Sequence, residues 1–252
     1  MNLTEYLKGF PKAALAFSGG VDSSYLLYAA KQAGCAVTPY YVKTAFQPEF
    51  EFEDAKRMAG FLKIPMRVLT LDVLACAPVV ANPPDRCYYC KQVIFGEILR
   101  AAHADGHTVL FDGNNASDDA GDRPGMRAAK ELHVRSPLRE CGLGKPEIRR
   151  LSREAGLFTA EKPAYACLAT RIPAGTPIDG ETLQKVERAE AFLTDKGFSD
   201  FRVRVLGNAA KLQLTENEFA KLFADRGQIL DTLRASFADV LLDLTPRGEH
   251  HG

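Results

Sequence analysis

The chain has 252 residues, 46% hydrophobic and 25% charged, and its 32 basic residues are balanced by 32 acidic ones. That length buries a sizeable core without disulfides, and a formal charge of zero argues against a chain whose main partner is tRNA or DNA, since phosphate backbones call for a basic surface. No apolar run approaches a membrane span and the opening MNLTEYLKGF lacks a signal-peptide core, so the six cysteines read as thiols, ligands or catalysts of a cytoplasmic protein.

Taken in chain order, Ala13 to Phe17 is an apolar strand and Asp22 to Ala33 has amphipathic helical spacing, with Ser18-Gly19-Gly20-Val21-Asp22-Ser23-Ser24 at the junction. Glycines on a strand-to-helix turn let backbone N–H groups approach an anion, and the helix dipole adds positive charge. Hydroxyls of Ser18, Ser23 and Ser24 can complete the cradle. No Lys-Ser/Thr pair ends the string, so it is not a P-loop. It resembles the PP-loop of ATP pyrophosphatases, which implies ATP as cofactor. Asp22 either holds Mg²⁺ beside the phosphates or caps the helix, and both roles are compatible.

Ala36 to Val42 and Met66 to Leu71 read as strands, Glu49 to Leu62 and Cys87 to Ala102 as helices, and Thr108 to Phe111 as a strand leading into Asp112-Gly113-Asn114-Asn115-Ala116-Ser117-Asp118. The alternation predicts an α/β domain with a parallel sheet and ligands at the carboxyl ends of its strands. Short polar residues after a strand are also an ordinary turn, and position alone makes Asp112, Asn115 and Asp118 candidates. Arg86-Cys87-Tyr88-Tyr89-Cys90-Lys91 opens a helix, with two thiols on one edge near positive charge, a setting that favours thiolates. A zinc half-site, a redox dithiol and two packed thiols remain open. Cys35, Cys76 and Cys141 stand alone, without assigned roles.

Asp119 to Gly125 reads as a surface loop and Lys145 to Ala155 as a short helix. Pro163 to Pro177, which includes Cys167, marks a boundary, giving domains 1–172 and 173–252. The second is a small α+β unit: a helix at Gly180 to Lys196, strands at Phe201 to Leu206 and Lys211 to Leu214 around a Gly207-Asn208 turn, a helix at Glu216 to Leu233 and a strand at Phe237 to Leu244. Arg202 and Arg204 leave one face of a strand and can grip one phosphate, or form a solvated face. Glu190 reads equally as a pocket acid or as helix surface. The end, Arg247-Gly248-Glu249-His250-His251-Gly252, reads as a frayed tail with solvated histidines.

The loop at Ser18, the Arg86 to Lys91 string, Arg135-Ser136-Pro137-Leu138 and Cys167 to Gly175 together resemble the LarE family, ATP-dependent sulfur transferases of nickel-pincer nucleotide biosynthesis, over nearly the whole chain. The resemblance implies that ATP adenylylates a carboxylate of pyridinium-3,5-biscarboxylic acid mononucleotide and that sulfur then replaces AMP. It assigns the nucleotide to Ser18, Gly19, Gly20, Asp22, Ser23, Ser24, Asp112, Asn115 and Asp118, with Asn114 standing where Thr is usual. It assigns the substrate to Glu190, Arg202 and Arg204, with Arg171 a weaker candidate. Some members surrender the sulfur of the cysteine equivalent to Cys167, which becomes dehydroalanine; others hold a four-iron, four-sulfur cluster on three cysteines. Cys87, Cys90 and Cys167 fit the second group, since three thiolates leave one iron open to hydrosulfide. A homo-oligomer, a sulfur donor and other proteins of cofactor assembly are the implied partners.

Three rivals stand beside this expectation. A tRNA thiolase would share the loop and the Cys-x-x-Cys, but the balanced charge opposes it. An ammonia-using PP-loop synthetase would be indifferent to loss of Cys167. A non-catalytic nucleotide-binding partner would hold ATP without releasing pyrophosphate.

Overall fold

The computed structural model describes residues 2–118 and 124–248. It divides into two compact units, Met1–Val79 with Asp85–Ala164, and Val80–Pro84 with Tyr165–Gly252. The division falls between Ala164 and Tyr165, within the stretch from Pro163 to Pro177.

In the first unit, α1 (Leu3–Lys8) is closed by a capping box between Asn2 and Glu5. β1 (Lys12–Ala16), β2 (Ala36–Lys43), β3 (Arg67–Thr70) and β4 (Leu110–Phe111) form one sheet, ordered β3-β2-β1-β4, with every pairing parallel. Successive strand residues point to opposite faces. Leu15, Tyr41 and Phe111 therefore join one apolar cluster with Leu26, Leu27 and Met58, while Ala14, Tyr40 and Leu110 join another with Phe95 and Ile98. A strand buried on both faces must be apolar at every position, which is why Ala13-Ala14-Leu15 lacks alternation.

α2 (Val21–Gln32), α3 (Glu49–Phe61) and the 19-residue helix α5 (Arg86–Ala104) are the long helices of this unit, and α4 (Ala77–Val80) is a single turn. α6 (Pro124–Glu131), α7 (Pro137–Glu140) and α8 (Lys145–Glu154) follow β4. Of the expected loop at Asp119 to Gly125, residues 119–123 lie outside the described residues, and Pro124 and Gly125 begin α6. From β1 the chain proceeds outward to β2 and β3, whereas β4 lies on β1's other side. The order thus reverses between β1 and β4, the place where open α/β sheets bind ligands.

In the second unit, α9 (Gly180–Asp195) is capped by Asp179, whose side chain accepts the Thr182 N–H. β5 (Arg202–Leu206) and β6 (Ala209–Gln213) pair antiparallel around Gly207, whose φ of 57° suits the turn. α10 (Phe219–Arg234) precedes β7 (Asp239–Leu242), which runs parallel to β6. Asn82, in the left-handed region at φ 51°, donates its amide to the carbonyls of Pro173 and Thr176, and its own carbonyl accepts the Gly175 N–H. This buried side chain explains why residues 80–84 fold with the second unit. The end of the chain departs from expectation: Arg247 is buried, its N–H bonds the Leu214 carbonyl and its guanidinium pairs with Asp200. The histidines of the tail lie outside the described residues. Among the described residues no helix is long and apolar enough to cross a membrane.

Candidate functional site

The turn from β1 into α2 is made by Phe17 to Gly20. Gly19 has φ +74°, and a Cβ there would lie 2.9 Å from the Ala55 Cα of α3. No other residue fits both the dihedral and the gap. The Ser18 hydroxyl accepts the Gly20 N–H at 3.3 Å and lies 3.1 Å from the Ser23 hydroxyl, which donates to the Gly20 carbonyl at 3.2 Å. The start of α2 carries no side-chain cap, so its first N–H groups remain for an anion. Ser24 is fully buried, and its hydroxyl has no partner among the described residues.

The loop after β4 meets this turn directly. A Cβ on Gly113 would come within 3.1 Å of the Ser23 nitrogen. Asp112, 4% exposed, accepts the Ser136 hydroxyl at 2.7 Å and the Asn114 N–H at 3.1 Å. Burial pushes its carboxyl up, and the charge of Lys91 with the Ser136 bond works against that. Asn114, where the resemblance leads one to expect Thr, also donates its amide to Asp112. Asn115 is buried; its N–H bonds Asp118 at 2.8 Å, and its amide reaches Asp22 across the crevice at 3.4 Å. Ser18 to Ser24, Asp112, Asn115 and Asp118 are thus brought together within one unit.

Sequence reasoning missed Lys145. It opens α8, donates its backbone N–H to the Ser117 hydroxyl at 2.8 Å, and holds its ammonium 2.5 Å from Asp22. A lysine at the start of a helix opposes the dipole, and that misfit was the available signal. Asp22 therefore does not cap α2. Its oxygens face Asn115 and Lys145.

Cys87 lies in the first turn of α5 and Cys90 opens the second, Cys87 exposed and Cys90 buried. The turn is fixed from outside by Tyr88, which donates to Glu131 at 2.7 Å while the Arg127 guanidinium lies 4.0 Å from its ring. Arg86 is buried, 5.4 Å from the Phe46 ring. The next residue after Cys90, Lys91, is the one whose charge acts on Asp112, which links the start of α5 to the loop after β4. Cys167 belongs to the second unit, partly exposed, and its carbonyl accepts the Thr170 N–H and hydroxyl at 3.0 and 2.8 Å. Among the described residues no three His, Cys, Asp or Glu side chains are grouped as a metal site. Burial raises the Cys35 and Cys141 thiols, which suits packing.

The second unit contains a guanidinium cluster. Glu190 is buried rather than on the helix surface: it accepts Arg171 Nε at 2.7 Å, Arg171 Nη2 at 3.1 Å, the Tyr165 hydroxyl at 2.5 Å and the Val203 N–H of β5 at 2.9 Å. Burial pulls Arg171 down, but its bond to Glu190 leaves it raised on balance. Arg202 is 9% exposed, so β5 does not present it on a solvated face. Arg204 bonds Gln213 at 2.5 Å and the Thr170 carbonyl at 2.7 Å. Burial lowers Arg202 and Arg204, and the charges of Arg171 and Arg247 lower them further. Arg247 is a second residue the sequence did not reveal; its buried Nε has no hydrogen-bond partner among the described residues. Cations held this close in a partly buried setting are suited to an anion.

No family model matches the chain. It is 36% identical over 250 residues to an uncharacterized protein of Synechocystis sp., covering 96% of this chain and 92% of the relative. It is 30% identical to the pyridinium-3,5-bisthiocarboxylic acid mononucleotide synthase of Lactiplantibacillus plantarum, over 96% of this chain and 89% of that one. A tRNA-specific 2-thiouridylase of Pseudothermotoga lettingae is 25% identical over 60% of this chain and 54% of its own length.

Proposed function

The chain belongs to the LarE family, and on that premise we propose that it is an ATP-dependent sulfurtransferase converting the carboxylates of pyridinium-3,5-biscarboxylic acid mononucleotide into thiocarboxylates. The observation carrying this is that a synthase named for the thiocarboxylate product matches 96% of the chain. The thiouridylase matches 60%.

The nucleotide site fits ATP on its own terms: a glycine, Gly19, with no room for a Cβ, an uncapped helix start and an aspartate 20% exposed beside it. In this reading the α2 N–H groups hold phosphate oxygens, and Asp22 is an oxygen donor of the kind Mg²⁺ prefers. A substrate carboxylate oxygen attacks the α-phosphorus, the bond to the bridging oxygen breaks, and pyrophosphate leaves with the electron pair. The acyl adenylate then has AMP as leaving group. A sulfur nucleophile adds at the acyl carbon and the C–O bond to AMP breaks. Arg202 and Arg204 bind the substrate's phosphate, with Arg247 beside them, while the Arg171–Glu190 pair braces β5 through Val203.

For the sulfur, Cys87, Cys90 and Cys167 would hold the iron–sulfur cluster that the family resemblance implies, since thiolates suit such clusters, and the cluster would supply a place for hydrosulfide. In this reading the protein is a homo-oligomer, as the family resemblance implies. The test is anaerobic incubation of the reconstituted protein with ATP, hydrosulfide and the biscarboxylic acid nucleotide, with pyrophosphate and product mass followed over several turnovers. Thiocarboxylate beyond one equivalent is expected, with iron lost in Cys87→Ala. Equal iron in both proteins, one turnover and dehydroalanine at position 167 would transfer the sulfur role to Cys167. Pyrophosphate release indifferent to the acid would overturn the activity.

A further inference from the structure

One carboxylate holds both ends of the segment that carries Cys167. Tyr165, just before the cysteine, donates its hydroxyl to Glu190 at 2.5 Å, and Arg171, just after it, donates Nε and Nη2 to the same group at 2.7 and 3.1 Å. The remaining guanidinium nitrogen of Arg171 turns back into the segment. Nη1 donates to the Ala166 carbonyl at 3.1 Å and to the Thr170 hydroxyl at 2.7 Å. That hydroxyl in turn donates to the Cys167 carbonyl at 2.8 Å. The Arg171 guanidinium also lies 4.8 Å from the Tyr165 ring. Leu168 and Ala169 are fully buried, while Cys167 itself stays partly exposed.

Arg171 is 1% exposed, and each of its guanidinium nitrogens already donates to protein. Its donors are committed before a substrate arrives. A planar fork fixes direction as well as distance, so a guanidinium bonded on every side imposes its own position on what it holds. From this arrangement we propose that Arg171 is a positioning residue, not a substrate-binding one: it sets the backbone at Cys167 and with it the direction in which the thiol leaves the loop. The proposal deepens the sulfur-transfer reading above and rests on it for the role of Cys167. An Arg171–Glu190 pair that only braced β5 would act on stability and leave the reactivity of Cys167 unchanged.

Two measurements on the full chain separate the roles. Alkylation of Cys167 by iodoacetamide, before cluster reconstitution, is followed by the mass of its peptide, with Cys87 as the internal reference. Affinity for the biscarboxylic acid nucleotide and the rate of thiocarboxylate formation are measured on the reconstituted protein. Arg171→Lys keeps the charge and loses the fork. It is expected to change the Cys167 rate several-fold at constant Cys87 rate and to leave nucleotide affinity within about twofold. Thiocarboxylate formation should slow roughly 10- to 100-fold, the scale of a misplaced reacting group. Thr170→Val removes the hydroxyl link to the Cys167 carbonyl without touching the Arg171–Glu190 pair, and should shift the Cys167 and product rates in the same direction by less. A native Cys167 rate in both variants, or a loss of nucleotide affinity that matches the loss of product, would overturn the proposal. If Arg171→Lys unfolds, Thr170→Val decides, because a native Cys167 rate there excludes the positioning role. Native protein that makes no thiocarboxylate would instead overturn the sulfur-transfer reading, and the alkylation rates would still decide what Arg171 does to Cys167.

Discussion

A carboxylate on a helix looks the same in sequence whether it faces water or core. Glu187 and Glu190 sit three residues apart on α9, yet Glu190 is buried with four donated hydrogen bonds. Removing one partner of a buried pair leaves an uncompensated charge, which costs about 3–5 kcal/mol. Glu190→Ala is therefore expected to lower the urea midpoint of the full chain markedly, with Glu190→Gln, which keeps an acceptor, milder. Equal stability of native protein and Glu190→Ala would refute the brace. At this scale Gly19 was legible because its motif is local. Lys145 was not, because its partner lies 123 positions away.

At the scale of elements, strand and helix patterns in the sequence agree with the structure to within a residue or two along β1, α2, β2 and α3. The short elements α1 and α7 were not legible. A long-range tie joins them: Glu140 accepts Arg135 and Ser136 and receives the Tyr6 hydroxyl at 2.8 Å. The Arg135 bond leads in holding this carboxyl down, from 4.5 to about 2. A depressed carboxyl contributes stability above its unfolded value and loses it as pH falls through the folded one. The stabilisation is thus complete above about 4.5 and disappears towards about 2. Melting temperatures of native protein and Glu140→Gln should converge over that window on acidification; a constant difference would remove Glu140 as the cause.

For the whole molecule, balanced charge bears on the choice of substrate. With 32 residues of each sign and a guanidinium cluster already facing Glu190, Asp200 and Asp243, the chain lacks the surplus that a tRNA backbone demands. Filter binding at physiological salt should retain no tRNA; retention that falls steeply with salt would restore the thiolase alternative.

A local reading was enough for the α/β class, the glycine-rich turn, the carboxyl-end loop and the cysteine candidates, because each is written in a local period or a short string whose backbone demands are local. Tertiary contacts alone show that Asp22 faces Lys145, that Glu190 belongs to Arg171, that Arg247 joins the arginine cluster and that Asn82 pins residues 173–176. Those pairings depend on burial and on segments brought together by chain topology, and no window of neighbouring residues contains that information.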